Sequence, residues 1–107
     1  MGKRKRQAEL RPAARLDLIE IACFLAVESG SGYLADRFLS AAATAVDRLV
    51  RMPRIGAPRP RFGSIRLWRI PEFPNYLVVY GVTNQGIDVL RVLHARRNLE
   101  ALLDDLP

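Results

Sequence analysis

The residues best suited to chemistry in this sequence are arginines, which make up fifteen of its 17 basic residues. Arginine forms planar, bidentate contacts with carboxylates and phosphates, whereas lysine offers only a point charge. No acidic residue interrupts a block of six: Arg51, Arg54, Arg59, Arg61, Arg66 and Arg69. Together with a formal net charge of +6, this block predicts an anionic partner, either nucleic acid or an acidic protein segment. The alternative is a solvated surface that keeps the protein soluble.

His94 is the second candidate, because histidine is the side chain whose ordinary pKa lies near neutral pH. Arg96 and Arg97 follow it closely, so general acid or base work on an anionic substrate is chemically possible there. A histidine at the end of a strand more commonly makes a structural hydrogen bond. Both interpretations stay open at this stage.

Several kinds of site lack the residues they need. One histidine and one cysteine, Cys23, cannot furnish a zinc site, and we expect no metal and no cofactor. The chain also has no glycine-rich phosphate cradle, no paired carboxylates and no Ser-His-Asp motif. Cys23 cannot form an intramolecular disulfide, as is typical of cytoplasmic proteins. We interpret it as buried filler of a helix rather than as a reactive thiol.

The hydropathy pattern predicts two helices, a short N-terminal strand and a three-stranded meander. Pro12 suits the first turn of a helix, and the run Ser29-Gly30-Ser31-Gly32 predicts a tight helix hairpin. The expected elements are a strand through Ala8 and Leu10, helices at 12–28 and 33–52, strands at 64–70, 76–82 and 87–94, and a helical stretch at 97–103. We therefore expect one α+β domain over residues 1–107, with a basic tail at 1–7. In this domain an N-terminal strand and an antiparallel helix hairpin pack on a three- to four-stranded antiparallel sheet.

Regular alternation along the strands assigns the polar residues to faces. Arg66 and Trp68 share one face of the first meander strand, and Leu67 and Arg69 take the other. On the last strand, alternation puts Arg91 in an apolar row that comprises Ile87, Val89, Arg91 and Leu93. A guanidinium in such a row needs an ion pair, for instance with an acid of the helix hairpin, or a functional contact. Trp68 suits either the core or stacking against a base or a partner side chain.

The sequence argues against membrane insertion and secretion. No run of about 18 uncharged apolar residues is present, so we expect no membrane-spanning helix. The basic residues 3–6 are followed by Glu9, Arg11 and Arg15, where a signal peptide needs an apolar stretch. We therefore expect a cytoplasmic protein.

Taken in order, these segments resemble the RelE/ParE superfamily of small toxins from type II toxin–antitoxin systems, and more specifically its ParE branch. The resemblance covers nearly the whole chain. It rests on Pro12-Ala13-Ala14, Asp17-Leu18 and Ile21, on Arg37-Phe38-Leu39, on Met52-Pro53, Gly56 and Pro58-Arg59-Pro60, on residues 65–70, on Phe73-Pro74-Asn75-Tyr76 and Val79-Tyr80, and on Leu90-Arg91-Val92-Leu93-His94 ahead of Arg97. The Arg-Val-Leu-His run after a Phe-Pro-Asn-Tyr strand start is its most specific part.

The resemblance implies a toxin that a cognate antitoxin holds inactive in a hetero-oligomer, which would contact DNA indirectly through the antitoxin. ParE relatives inhibit DNA gyrase, whereas RelE relatives cleave ribosome-bound mRNA. The RelE-type arginine beside the tyrosine of the central strand is replaced by Leu77, and no tyrosine follows Tyr80. We therefore favour gyrase inhibition by binding. The alternative, an mRNA endonuclease or an RNA-binding module, would depend on His94, Arg91 and Arg66.

The resemblance also lets us assign candidate binding residues to the two expected partners, the target and the antitoxin. The residues expected to bind the target, as charge-assisted contacts to an acidic surface or to gyrase-bound DNA, are Arg66, Arg69, Arg91, His94, Arg96 and Arg97. Arg59, Arg61 and Trp68 are expected to bind the antitoxin. The apolar anchors of that antitoxin should lie in grooves between the helices and the sheet.

Overall fold

The structure, a computed structural model, describes residues 6–96. Its helices are α1, Pro12–Ser29, and α2, Gly32–Arg51, which confirms the predicted hairpin to within two residues at each end. Pro12 occupies the first turn of α1, where its missing N–H costs no hydrogen bond. The Ser31 hydroxyl accepts the Tyr33 N–H at 3.1 Å and caps α2. None of the helices in the described part of the chain is long and apolar enough to span a membrane.

Five strands form one mixed sheet in the order β1-β5-β4-β3-β2. The strands are β1 Gln7–Leu10, β2 Ala57–Pro58, β3 Ile65–Ile70, β4 Phe73–Thr83 and β5 Gly86–His94, with a 3-10 turn at Pro60–Phe62. This confirms the α+β class, the N-terminal strand and the antiparallel meander. The expected N-terminal strand and three- to four-stranded sheet come close to this count, and the additional short strand is β2. Pro58 has no N–H to donate, so β2 is limited to two residues at the edge.

The direction of the N-terminal strand differs from the expected antiparallel arrangement. β1 pairs with β5 in parallel, from Gln7 opposite Gly86 to Leu10 opposite Val89. A β-carbon added to Gly86 would lie 1.9 Å from the Gln7 carbonyl oxygen, and its φ of 144° is one that other residues rarely adopt. Gly86 is thus the position at which the chain allows the two backbones to approach. The sheet is mixed rather than purely antiparallel.

The helices cover one face of the sheet. Their shared core includes Ala14, Phe38, Ala42, Leu49, Ile70, Val78, Tyr80, Ile87, Val89 and Val92. The other face carries a second buried cluster, made of Ile65, Leu67, Leu77, Val79 and Leu93. The small alanines of α2 let the helix lie close to its neighbours, as the sequence pattern predicted. The helical stretch expected at 97–103 lies outside the described residues.

A β-bulge overturns the predicted alternation along β5. Val79 pairs with Arg91, but the next residue, Tyr80, pairs with Val89, so Leu90 is an extra residue in β5. Val89 and Val92 therefore belong to the helix-side core, while Leu93 joins the second cluster. The prediction of one continuous row through Arg91 was wrong, because alternation holds only where the pairing is regular.

The outer face of α1 remains apolar and exposed. Leu16, Ile19 and Val27 are 54%, 60% and 79% exposed, and Cys23 between them is exposed as well. The interpretation of Cys23 as buried filler was therefore wrong. α1 is apolar on nearly all sides, so the spacing of its apolar residues does not indicate which side packs against the sheet.

Candidate functional site

Arg91 forms an ion pair with α1. Its Nε and Nη2 donate to the two carboxylate oxygens of Asp17 at 2.7 and 2.9 Å. The Val92 N–H also donates to Asp17, at 2.9 Å. Because β1 pairs with β5 only as far as Val89, the carboxylate of Asp17 serves as the hydrogen-bond partner of β5 beyond that point. Of the two alternatives for Arg91, the ion pair with the helix hairpin is the one that the structure contains.

Arg66 and Tyr80 hold the loop between α2 and β2. Nη1 of Arg66 donates to the carbonyls of Arg54, at 3.1 Å, and Gly56, at 2.8 Å. The buried Tyr80 hydroxyl accepts the Gly56 N–H at 3.0 Å and donates to the Pro53 carbonyl at 2.6 Å. A β-carbon on Gly56 would lie 2.4 Å from that hydroxyl. Only glycine therefore allows the loop to approach Tyr80 so closely.

Replacing Tyr80 with phenylalanine is expected to lower the free energy of unfolding by about 1–3 kcal/mol, because the Gly56 N–H and the Pro53 carbonyl would lose their partner. Burial raises the pKa of the Tyr80 phenol. The unfolded chain therefore ionises first, and native stability should fall as the pH rises through about 10. Urea unfolding at pH 7 and above pH 10 measures both effects. Tyr33, which is 68% exposed, is the control. Tyr33→Phe should change neither the stability at pH 7 nor its fall above pH 10. If Tyr33→Phe lowers stability as much as Tyr80→Phe does, the role of Tyr80 is contradicted.

Three of the predicted target-binding residues lie at one end of the sheet, which we call the cationic corner: Arg69, His94 and Arg96. Nη1 of Arg69 donates to the Pro74 carbonyl at 2.5 Å, and the His94 ring packs edge-on against Tyr76 with centroids 5.1 Å apart. The Arg96 N–H donates to Nδ1 of His94 at 3.2 Å. Arg97 lies outside the described residues. Arg66 is not part of this corner, since it lies towards the opposite end of β3.

The three groups of the nuclease alternative are separated. Arg66 pairs with Tyr80 and His94 with Tyr76, so their positions are four residue steps, about 13 Å, apart along β4. Arg91 is held by Asp17. One scissile phosphate needs its acid, base and charge-stabilising groups within hydrogen-bond reach, and this arrangement does not provide it.

The predicted antitoxin-binding residues occupy two places. Arg59 and Arg61 are exposed between β2 and β3, and the Arg61 guanidinium lies 5.4 Å from the Phe62 ring centroid. Trp68 packs against the helix-side core, and its Nε1 is buried without a hydrogen-bond partner among the described residues. The Arg59 N–H bonds to the Ile65 carbonyl, three residues along β3 from Trp68.

An apolar groove between α2 and the β1–β5 side of the sheet was not predicted as a specific site. It encloses about 370 Å³, and the charged residues of the described range that line it are Arg6 and Asp47. Its apolar lining includes Ala8, Leu10, Leu39, Ala43, Val46 and Val50. The sequence did contain a signal for this groove. α2 has a second apolar stripe beside its core stripe, so its apolar surface is wider than packing against one sheet requires.

The described residues contain no group of three or more His, Cys, Asp or Glu side chains that could share a metal ion. The features described above are instead an apolar groove and clusters of arginine. Such features are typical of binding to a partner.

A comparison with protein families decides what kind of protein this is. The model of the ParE toxin of the type II toxin–antitoxin system, parDE, matches residues 8–99. The chain belongs to the ParE toxin family. This confirms the resemblance on which the sequence analysis depended.

Solved structures support the fold of this ParE-family chain. It is similar to a chain of the chromosomal ParDE TA system from P. aeruginosa, with a TM-score of 0.62 and 18% sequence identity. The match covers 88% of this chain and 100% of that one. At this identity the likeness concerns the fold. A search of curated protein sequences finds no significant match.

Proposed function

We propose that this chain is a toxin that inhibits DNA gyrase by binding and is neutralised by a cognate antitoxin in the cytoplasm. The observation that carries the proposal is the ParE toxin family match over residues 8–99. The similar chain from P. aeruginosa comes from a ParDE TA system, which supports an antitoxin as the partner.

Binding fits the geometry better than mRNA cleavage does. The groups that a nuclease would need are separated along the sheet, and Arg91 is engaged with Asp17. The sheet face opposite the helices carries an apolar cluster, including Leu67, Leu77 and Val79. A charge-stabilising site for a phosphate would need cationic or polar donors there.

The cationic corner is the surface that we assign to gyrase. Arg96 is exposed, and the Arg69 guanidinium is held at the β3–β4 turn by the Pro74 carbonyl. Arg97 follows Arg96 directly in the sequence. Arginines held in this way can form charge-assisted hydrogen bonds with an acidic surface, each contributing about 1.5–3 kcal/mol.

The double variant Arg96→Ala/Arg97→Ala is expected to inhibit gyrase about a hundredfold or more less well than the wild-type protein, since two charge-assisted contacts are lost. The measurement is DNA supercoiling by purified gyrase over a range of toxin concentrations. Arg15→Ala/Arg48→Ala is the matched control, because it removes two exposed arginines and the same charge away from the corner.

If wild-type protein leaves supercoiling unchanged at micromolar concentration, gyrase is not the target. If both double variants inhibit as well as the wild-type protein, the cationic corner is not the contact surface. Thermal unfolding of all three proteins should give equal midpoints, because Arg15, Arg48 and Arg96 are exposed.

The apolar groove beside α2 is the surface that we assign to the antitoxin. An amphipathic segment that folds on binding can place apolar anchors along such a groove. Its carboxylates would then meet arginines at the rim, where Arg6 lines the groove. The antitoxin would in turn bring the assembled complex to DNA.

A further inference from the structure

Two clefts flank Arg54 at the end of the sheet where β4 turns into β5, and we call them the arginine clefts. The first encloses about 600 Å³ and is lined by Arg6, Arg54 and Thr83, among others. The second encloses about 370 Å³ and is lined by Arg54, Arg66 and Ser64, among others. No acidic residue of the described range lines either cleft. Within residues 6–96, the cleft linings therefore offer the arginines no acidic partner.

The second cleft contains an arginine with a fixed orientation. Arg66 donates through Nη1 to the Arg54 and Gly56 carbonyls, and these two bonds hold its guanidinium beside the loop. Within residues 6–96 its hydrogen bonds use Nη1 alone, so the Nε and Nη2 donors are available to a ligand. A fixed guanidinium loses little side-chain entropy when it binds an anion.

Arg54 and Arg59 add charge whose position suits a larger anion. Neither makes an ion pair within the part of the chain that the structure describes, and both are exposed. In contrast, Arg51 on α2 pairs with Asp47, Arg37 with Glu72 and Arg11 with Asp88. Arginines are thus left unneutralised next to the two clefts, whereas several outside them have acidic partners.

The chemistry of the lining favours a phosphate chain over an acidic peptide. A folded acidic segment needs apolar anchors as well as carboxylates, and the apolar groove beside α2 is lined by a different part of the structure, apart from Arg6. The second arginine cleft is lined mainly by polar groups and carries two arginines. Neighbouring arginines around a polar cleft match the repeated charges of a nucleic-acid backbone.

We propose that the second arginine cleft binds the phosphodiester backbone of nucleic acid, with Arg54 and Arg66 holding one phosphate between them. Arg59, which follows the cleft residue Pro58, would contact the next phosphate. This site goes beyond the proposed function, because it requires neither gyrase nor antitoxin. It would bring the toxin to nucleic acid directly and without regard to sequence, since phosphate contacts position a protein but do not read bases.

The test is fluorescence anisotropy of labelled 20-base-pair duplexes, one of DNA and one of RNA, with the purified full chain at several salt concentrations. We expect wild-type protein to bind both duplexes and Arg54→Ala/Arg59→Ala to bind at least tenfold more weakly. The slope of log affinity against log salt should also become shallower by about 2, because two phosphate contacts are lost. The matched control is Arg15→Ala/Arg48→Ala, which removes the same charge elsewhere and should bind as the wild-type protein does.

Three results would overturn the proposal. The first is no binding at low salt and tens of micromolar protein. The second is an equal loss of affinity in both double variants, which would mean that total charge rather than the clefts attracts the nucleic acid. The third is a labelled poly-glutamate peptide that binds as tightly as the duplexes and is equally sensitive to Arg54→Ala/Arg59→Ala, which would make the clefts a site for acidic protein. The anisotropy assay contains no gyrase. A negative result in it therefore does not bear on the proposed function, which the supercoiling assay tests separately.

Discussion

Replacing Asp17 with alanine is expected to lower the free energy of unfolding by about 3–5 kcal/mol, because the largely buried Arg91 guanidinium would lose the Asp17 carboxylate. The ion pair is largely shielded from water, with side-chain exposures of 23% for Arg91 and 10% for Asp17. The Val92 N–H would lose its acceptor as well. Since small domains are stable by about 5–15 kcal/mol in total, urea unfolding should show a clearly lower midpoint.

Two further variants show whether the lost stability comes from the Asp17–Arg91 ion pair. Asp36→Ala removes an exposed carboxylate from α2 and should change the midpoint little. Adding Arg91→Met to Asp17→Ala should recover part of the lost stability, because it removes the buried charge that no longer meets the Asp17 carboxylate and keeps an apolar stem. If Asp17→Ala and Asp36→Ala unfold at the same urea concentration, the carboxylate of Asp17 does not support β5.

Substituting glutamate for Ala43 is expected to weaken antitoxin binding about a thousandfold, which corresponds to about 4 kcal/mol. Ala43 lines the apolar groove beside α2, and a carboxylate there would be buried without a partner under an apolar anchor. We expect a short reading frame beside this gene to encode the antitoxin, and titration calorimetry with its product measures the change. Gyrase inhibition by the variant should persist and should no longer be relieved by that product.

Thr44→Glu is the matched control, since it places the same charge one residue later, at an exposed position that does not line the groove. It should bind the antitoxin as the wild-type protein does. Equal affinities for all three proteins would show that the antitoxin binds elsewhere. If the neighbouring gene product binds none of them, the antitoxin assignment itself fails.

The local part of this fold could be predicted from the sequence. Pro12, the Ser29-Gly30-Ser31-Gly32 turn and the period of α2 place the helix hairpin, because caps and apolar stripes act over a few residues. The same holds for the meander, whose short connectors leave only antiparallel neighbours. The face of Trp68 was also predictable, because β3 pairs regularly with β4 up to Arg69.

The remaining features depend on contacts between distant residues. The parallel pairing of β1 with β5 follows from the whole intervening chain, and no local pattern indicates it. The bulge at Leu90 leaves no clear trace in a run of apolar residues, yet it changes the face of every residue after it. The contact between Arg66 and the loop could likewise not be predicted from the sequence, because the guanidinium donates to backbone carbonyls rather than to an acidic side chain.

The parallel pairing of β1 with β5 also sets the earliest moment in translation at which the toxin can complete its sheet. About 75 residues separate Leu10 from Gly86, and a ribosome needs roughly 4–15 s to add them. During that interval β1 has no strand to pair with, and Asp17 has neither Arg91 nor the Val92 N–H. Because β5 contributes to the cationic corner and to one wall of the apolar groove beside α2, a nascent chain that stops before β5 has neither surface in its final form.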